Sequence, residues 1–86
     1  MQLALVVGTA TATVKHRTLR GCKLLVVQPL LSDGRSPDGD PLLVADSLGA
    51  GRGQTVVITN DGRAAQELLA DQTTPVRWTT LGIVDQ

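Results

Sequence analysis

The chain has 86 residues, with eight basic and eight acidic side chains, and its 42% apolar fraction includes no Phe or Tyr and a single Trp. A domain of this size buries roughly 60–70% of its unfolded surface and aromatics normally supply much of that burial, so one copy is expected to be marginal and to gain from oligomerisation. The balanced charge argues against long-range attraction to nucleic acid or an acidic membrane. Cys22 has no second cysteine to pair with, which excludes an internal disulfide and fits a reducing cytosol. Met1 leads directly into a strand-like pattern with no secretory leader, and no apolar run approaches a membrane span. The expectation is a soluble, intracellular single domain over residues 1–86.

Gln2 to Val14 reads as one long strand with a change of phase. Leu3, Leu5 and Val7 alternate on one face, and beyond Gly8-Thr9 the apolar set becomes Ala10, Ala12 and Val14. A strand's side chains repeat every two residues, so this change needs an extra residue, and Gly8 is the natural site for a bulge. A long, bent first strand is what a small closed barrel requires. Lys15 to Gly21 reads as a basic connecting loop on the solvent side. His16 has no second histidine and no metal-ligand spacing to Cys22.

Lys23 to Leu31 is the second strand, and its run Leu24-Leu25-Val26-Val27 predicts burial on both faces, one against the barrel core and one against another copy of the chain. Pro29 cannot donate to a ladder, so that end of the strand should lie at an edge or a bulge. Ser32 to Pro41 carries two Asp-Gly pairs and two prolines, the composition of an exposed, mobile hairpin loop. Leu42 to Ala45 is a third strand. It leads into Asp46-Ser47-Leu48-Gly49-Ala50-Gly51-Arg52-Gly53, where glycines at alternate positions serve a backbone that turns or approaches another closely. Two uses fit this segment: a cradle of N–H groups for an anion, or a close contact between packed subunits. No helix pattern follows it, as a dinucleotide fingerprint would need.

Thr55 to Thr59 is a fourth strand. Asn60-Asp61 then offers an N-cap to the helix Gly62–Ala70, whose Ala64, Ala65, Leu68 and Leu69 form one apolar face. A helix this short must dock on the barrel. After the link Asp71–Thr74 and Pro75, Val76 to Val84 is the last strand. The order describes a mainly β fold, a small five-stranded OB-like β-barrel with one short α-helix.

The string Val44-Ala45-Asp46-Ser47-Leu48-Gly49-Ala50-Gly51-Arg52-Gly53 resembles the signature V-A-x-D-x-[VIL]-G-A-G-x-G of the EutN/CcmL family, the pentameric vertex proteins of bacterial microcompartment shells, with one residue of slack before the aspartate. The likeness extends along the chain in order. Gly8 to Lys15 is similar to G-[TQ]-[VI]-x-x-T-x-[KR], Leu19 to Val27 to L-x-G-x-K-[LF]-L-x-[VL], and Gly82-Ile83-Val84-Asp85 to [AG]-I-[VI]-D. Two departures stand out: an arginine moved forward to Arg63 in the segment Gly62-Arg63-Ala64-Ala65-Gln66, and Arg77 in place of an aspartate after Pro75-Val76. The resemblance implies a structural shell protein that forms cyclic homopentamers and caps the vertices of a polyhedral microcompartment in the bacterial cytoplasm, beside hexameric shell proteins. It implies no cofactor, no metal, no nucleic acid and no membrane. It makes Leu24, Leu25, Val26, Val27, Asp46, Gly49, Ala50, Gly51 and Gly53 candidates for the subunit interface or axis. Gly62, Arg63, Ala64 and Ala65 become candidates for contact with shell partners.

Nothing in the chain forms a catalytic constellation: there is no Ser or Cys with a basic partner and no tuned carboxylate pair, so enzyme activity is not expected. The alternative is an OB-fold module binding an oligonucleotide or a small anion. That use needs aromatic platforms and a positive groove, and one Trp with zero net charge supplies neither.

Overall fold

A computed structural model describes residues 1–10, 23–69 and 74–84. The expected continuation of the first strand to Val14, the basic loop, Cys22 and most of the link before Pro75 lie outside the described residues. Within them the chain forms β1 (Gln2–Ala10), β2 (Lys23–Pro29), β3 (Leu42–Asp46), β4 (Thr55–Asn60), α1 (Gly62–Leu69) and β5 (Trp78–Ile83). The strands close into a barrel in the order β1-β2-β3-β5-β4. All neighbours are antiparallel except β3 and β5, which run parallel where Val44 faces Trp78 and Ala45 faces Thr79. The mainly β, OB-like expectation therefore holds, with closure satisfying the strand edges.

The interior is filled by aliphatic side chains. Ala4, Val6, Leu25, Val27, Val44, Ala50, Val56 and Ile58 are fully buried together, and Trp78 packs on them half-buried. Each buried Val, Leu or Ile contributes about 1.5–3 kcal/mol relative to exposure. A second, smaller cluster lies outside the barrel, where Ala65 and Leu69 of α1 cover Ala45 and Val76, with Leu24 and Leu68 alongside. This is the docking that a two-turn helix requires. Asp61 is its N-cap, accepting from the Ala64 N–H at 3.0 Å, and the Asp61 N–H is held by the Arg77 carbonyl at 2.8 Å. Val76 serves that cluster instead of opening the last strand, which begins later than expected, at Trp78.

The bulge in β1 falls one residue before the expected glycine. Val6 faces Val27 and Gly8 faces Val26, so Val7 has no partner and stands 40% exposed. Residues opposite one another in an antiparallel ladder share a face. Ala4 and Val6 therefore point inward with Val27, while Leu5 and Leu3 belong to the outer surface. Pro29 pairs with Ala4 of β1 just where the ladder between β2 and β3 has ended, at Val27 opposite Leu42. The missing N–H costs no bond there.

The Ser32–Pro41 loop is exposed as expected, but it is tied down and not a free hairpin. Leu30 bridges to Pro37, the Asp38 N–H donates to the Pro29 carbonyl at 2.9 Å, and Gln28 Nε2 donates to the Gly39 carbonyl at 3.0 Å. Inside the loop, the Asp33 carboxylate accepts from the Arg35 and Ser36 N–H groups at 2.8 and 2.9 Å and from the Ser36 hydroxyl.

Candidate functional site

The glycine segment is built around a buried carboxylate. Asp46 ends β3 with its side chain pointing inward and fully buried. One oxygen accepts the Leu48 N–H at 3.1 Å and the Thr80 hydroxyl at 2.7 Å. The other accepts the N–H groups of Gly49 and Ala50, both at 3.0 Å. The loop's amides thus converge on an anion, as a cradle's would, but the anion is the chain's own. The next amide, of Gly51, donates to Gln54 Oε1 at 2.6 Å. The segment therefore has no free amide nest for a phosphate, which removes the glycine turn as a site for the small-anion alternative. For the oligonucleotide alternative, Trp78, the sole aromatic of the sequence, is half-buried against the core and offers no open stacking platform among the described residues.

The glycines differ in what they do. Gly49 and Gly53 have φ of +85° and +88°, whereas Gly51 lies outside the left-handed region. The Gln54 N–H returns to the Gly51 carbonyl at 3.1 Å. Gly53 therefore takes the third position of a tight turn, where φ > 0 is needed. The same turn docks on β1 beside the bulge: the Gly53 N–H donates to the Val6 carbonyl and the Val6 N–H to the Gln54 carbonyl, each at 2.9 Å. A Cβ on Gly51 would meet only Gln54 Oε1, at 3.7 Å. Nothing inside the subunit demands glycine there.

The interface candidates separate into surface and interior. Leu25, Val27 and Ala50 are core residues and Asp46 is the buried clamp, so none of the four can touch a neighbour. Leu24 and Val26 are on the outer face, Leu24 partly beneath α1. Gly49 and Gly53 are exposed and Gly51 half-buried. On the helix, Arg63 is exposed and pairs with Glu67 at 3.6 Å, Gly62 and Ala64 are half-buried, and Ala65 is fully buried against β3. Ala65 is therefore a docking residue of its own helix and unavailable to a shell partner.

Residues not singled out from sequence complete two apolar flanks. On one, Leu43 opposes Val26 and is 42% exposed. On the other, Leu3 opposes Val57 and Val57 opposes Gly82. Beside them the ladder slips between Val57–Gly82 and Ile58–Thr80, leaving Leu81 unpaired and 52% exposed. In the closed strand order the first flank lies on β2 and β3 and the second on β1, β4 and β5. The one sequence signal for Leu81 was an apolar residue out of phase between Thr80 and Gly82. Among the described residues no three His, Cys, Asp or Glu side chains gather where they could hold a metal.

A closed barrel whose signature loop is clamped from within, with two unlike apolar flanks, defines a small structural β-barrel module. Comparison with known proteins gives its family. The family model for the ethanolamine utilisation protein EutN/carboxysome group matches residues 1–85, and the chain belongs to this EutN/CcmL family. It is 37% identical, over 100% of its length and 88% of the relative's, to the bacterial microcompartment shell vertex protein EutN of Escherichia coli K12. It is 38% identical to the shell vertex protein GrpN of Rhodospirillum rubrum, over 99% of this chain and 93% of the relative. Among solved structures, the R. rubrum protein described as a pentameric microcompartment shell protein superposes with a TM-score of 0.71 at 36% identity, covering 100% of this chain and 95% of that one. CcmL of Nostoc sp. PCC 7120 gives 0.71 at 38%, covering 100% and 90%.

Proposed function

We propose that this chain is a structural subunit that closes into a homopentameric ring and caps the vertices of a polyhedral microcompartment shell in the bacterial cytoplasm. The observation that carries the reading is the family match along nearly the whole chain, to relatives that are themselves shell vertex proteins. The physical reason follows from geometry. Hexagonal tiles make a flat sheet, and closing it into a polyhedron needs five-fold units. A head-to-tail contact closes into a ring when its rotation fits, and it joins two different surfaces of each subunit. The unlike apolar flanks support such a contact, with Leu24, Val26, Gly49, Gly51 and Gly53 as interface residues. Gly62, Arg63 and Ala64 at the start of α1 would face the hexameric shell proteins around the vertex.

The role is architectural and asks for no catalytic group. Native mass spectrometry of the purified protein at micromolar concentration tests it. A five-membered assembly is expected, and a monomer or an even-numbered closed assembly would overturn the reading.

A further inference from the structure

Two exposed charges lie beside apolar surface on different parts of the barrel. The start of β3 (Leu42, Leu43) and the segment Pro75–Trp78 enclose a groove of about 260 Å³, with Arg77 in its lining. Arg77 is packed over Gly62: its Cδ and Nη1 lie 3.0 and 3.1 Å from where a Cβ on that glycine would stand. The guanidinium is thereby held near the N-terminal end of α1, where positive charge is disfavoured. The ion pair found among the described residues is Arg63–Glu67, so Arg77 has no carboxylate partner there. An apolar groove with an uncompensated cation at its rim fits an apolar surface with a carboxylate at its rim.

The chain carries such a surface. Leu3, Leu31 and Asp38 line a second shallow face, formed by the start of β1 and part of the Ser32–Pro41 loop, and Leu31 is 46% exposed. Asp38 is fixed there, its side chain accepting from Gln2 Nε2 at 3.0 Å and its N–H bound to the Pro29 carbonyl. It too is absent from the ion pairs of the described residues.

We propose that Arg77 of one copy meets Asp38 of the next, so that the groove beside Arg77 takes the Leu3–Leu31 surface of its neighbour in the ring. The contact rests on the pentameric reading above and names the surfaces that would form it. It joins unlike patches, which is the head-to-tail arrangement that generates rings. Charge complementarity at the rim fixes the register of the apolar contact.

The test is a charge swap read by native mass spectrometry and dilution in low-salt buffer. Arg77→Glu and Asp38→Lys each place like charges at every contact of the ring. Either should raise the concentration of half-dissociation roughly fivefold, an effect that shrinks as salt is added. The double variant Arg77→Glu/Asp38→Lys should return to the parent value. Both side chains are exposed, so circular dichroism should be unchanged. If a reversal impairs folding, the charge-neutral Arg77→Gln and Asp38→Asn should shift dissociation in the same direction by less. A parent pentamer whose reversals dissociate at the parent concentration, or a double variant no better than either single, would overturn the contact and leave the pentameric reading standing. A monomeric parent would overturn both.

Discussion

The Thr80 hydroxyl donates a 2.7 Å hydrogen bond to Asp46 at the end of the neighbouring strand β3, joining β5 to the carboxylate that also gathers the N–H groups of Leu48, Gly49 and Ala50. A single buried side chain therefore sets the path of the signature loop and ties it to a strand far along the chain.

Removing the clamp should cost far more than removing one of its donors. Asp46→Ala leaves four donors without their acceptor, and the expected loss is about 2–4 kcal/mol per subunit. Thr80→Val removes one bond and should cost about 1 kcal/mol. Urea unfolding of the two variants would check the ratio, and equal losses would mean that the loop amides find other partners.

The three glycines should respond differently to alanine. Gly49→Ala and Gly53→Ala force a Cβ into the left-handed region at a cost of about 1–2 kcal/mol each. Gly51→Ala should leave thermal stability near the parent value, because neither φ nor space opposes it. The larger Gly51→Val is expected to keep β structure by circular dichroism while weakening the ring. An intact ring would place the contact elsewhere on the loop.

Asp33 should titrate below the usual carboxylate range. The Ser36 hydroxyl, then the Ser36 and Arg35 N–H groups, all donate to its ionised form. Its folded pKa is depressed, so its contribution to loop order is present above the ordinary aspartate pKa and is lost as pH falls through the lower folded value. An NMR titration of the carboxyl carbon checks this, and Ser36→Ala should move the midpoint back up. A midpoint unaffected by that change would remove the hydroxyl as the main cause.

Gly62→Ala should be tolerated despite its close contact with Arg77. The atoms it would meet belong to the side chain of an exposed arginine, which needs to shift by only a few tenths of an ångström, and alanine is the better helix former by up to about 1 kcal/mol. Thermal unfolding should show equal or slightly higher stability, and a clear loss would mean that Arg77 is held more firmly than its exposure implies.

The features legible in the sequence were local ones. Alternation and β-branched residues marked the five strands, Asp61 before an apolar helical face marked α1, and the alternate glycines after Asp46 marked a loop with special backbone needs. Each depends on residues a few positions apart, where periodicity and turn chemistry act directly. Which face of a strand is interior is a different matter. Leu24-Leu25-Val26-Val27 reads the same in either phase, and only pairing with β1 and β3 put Leu25 and Val27 inside and left Leu24 and Val26 outside. The same holds for the exact place of the β1 bulge, at Val7 beside the Gly8 that the change of phase marked, for the bulge at Leu81, for Ala65 beneath its own helix, and for Thr80 meeting Asp46. Register and barrel closure bring together segments distant in the chain, and a one-residue slip reverses every side chain on a strand. That choice belongs to the tertiary structure because its energy comes from the whole closed ladder and not from any one segment.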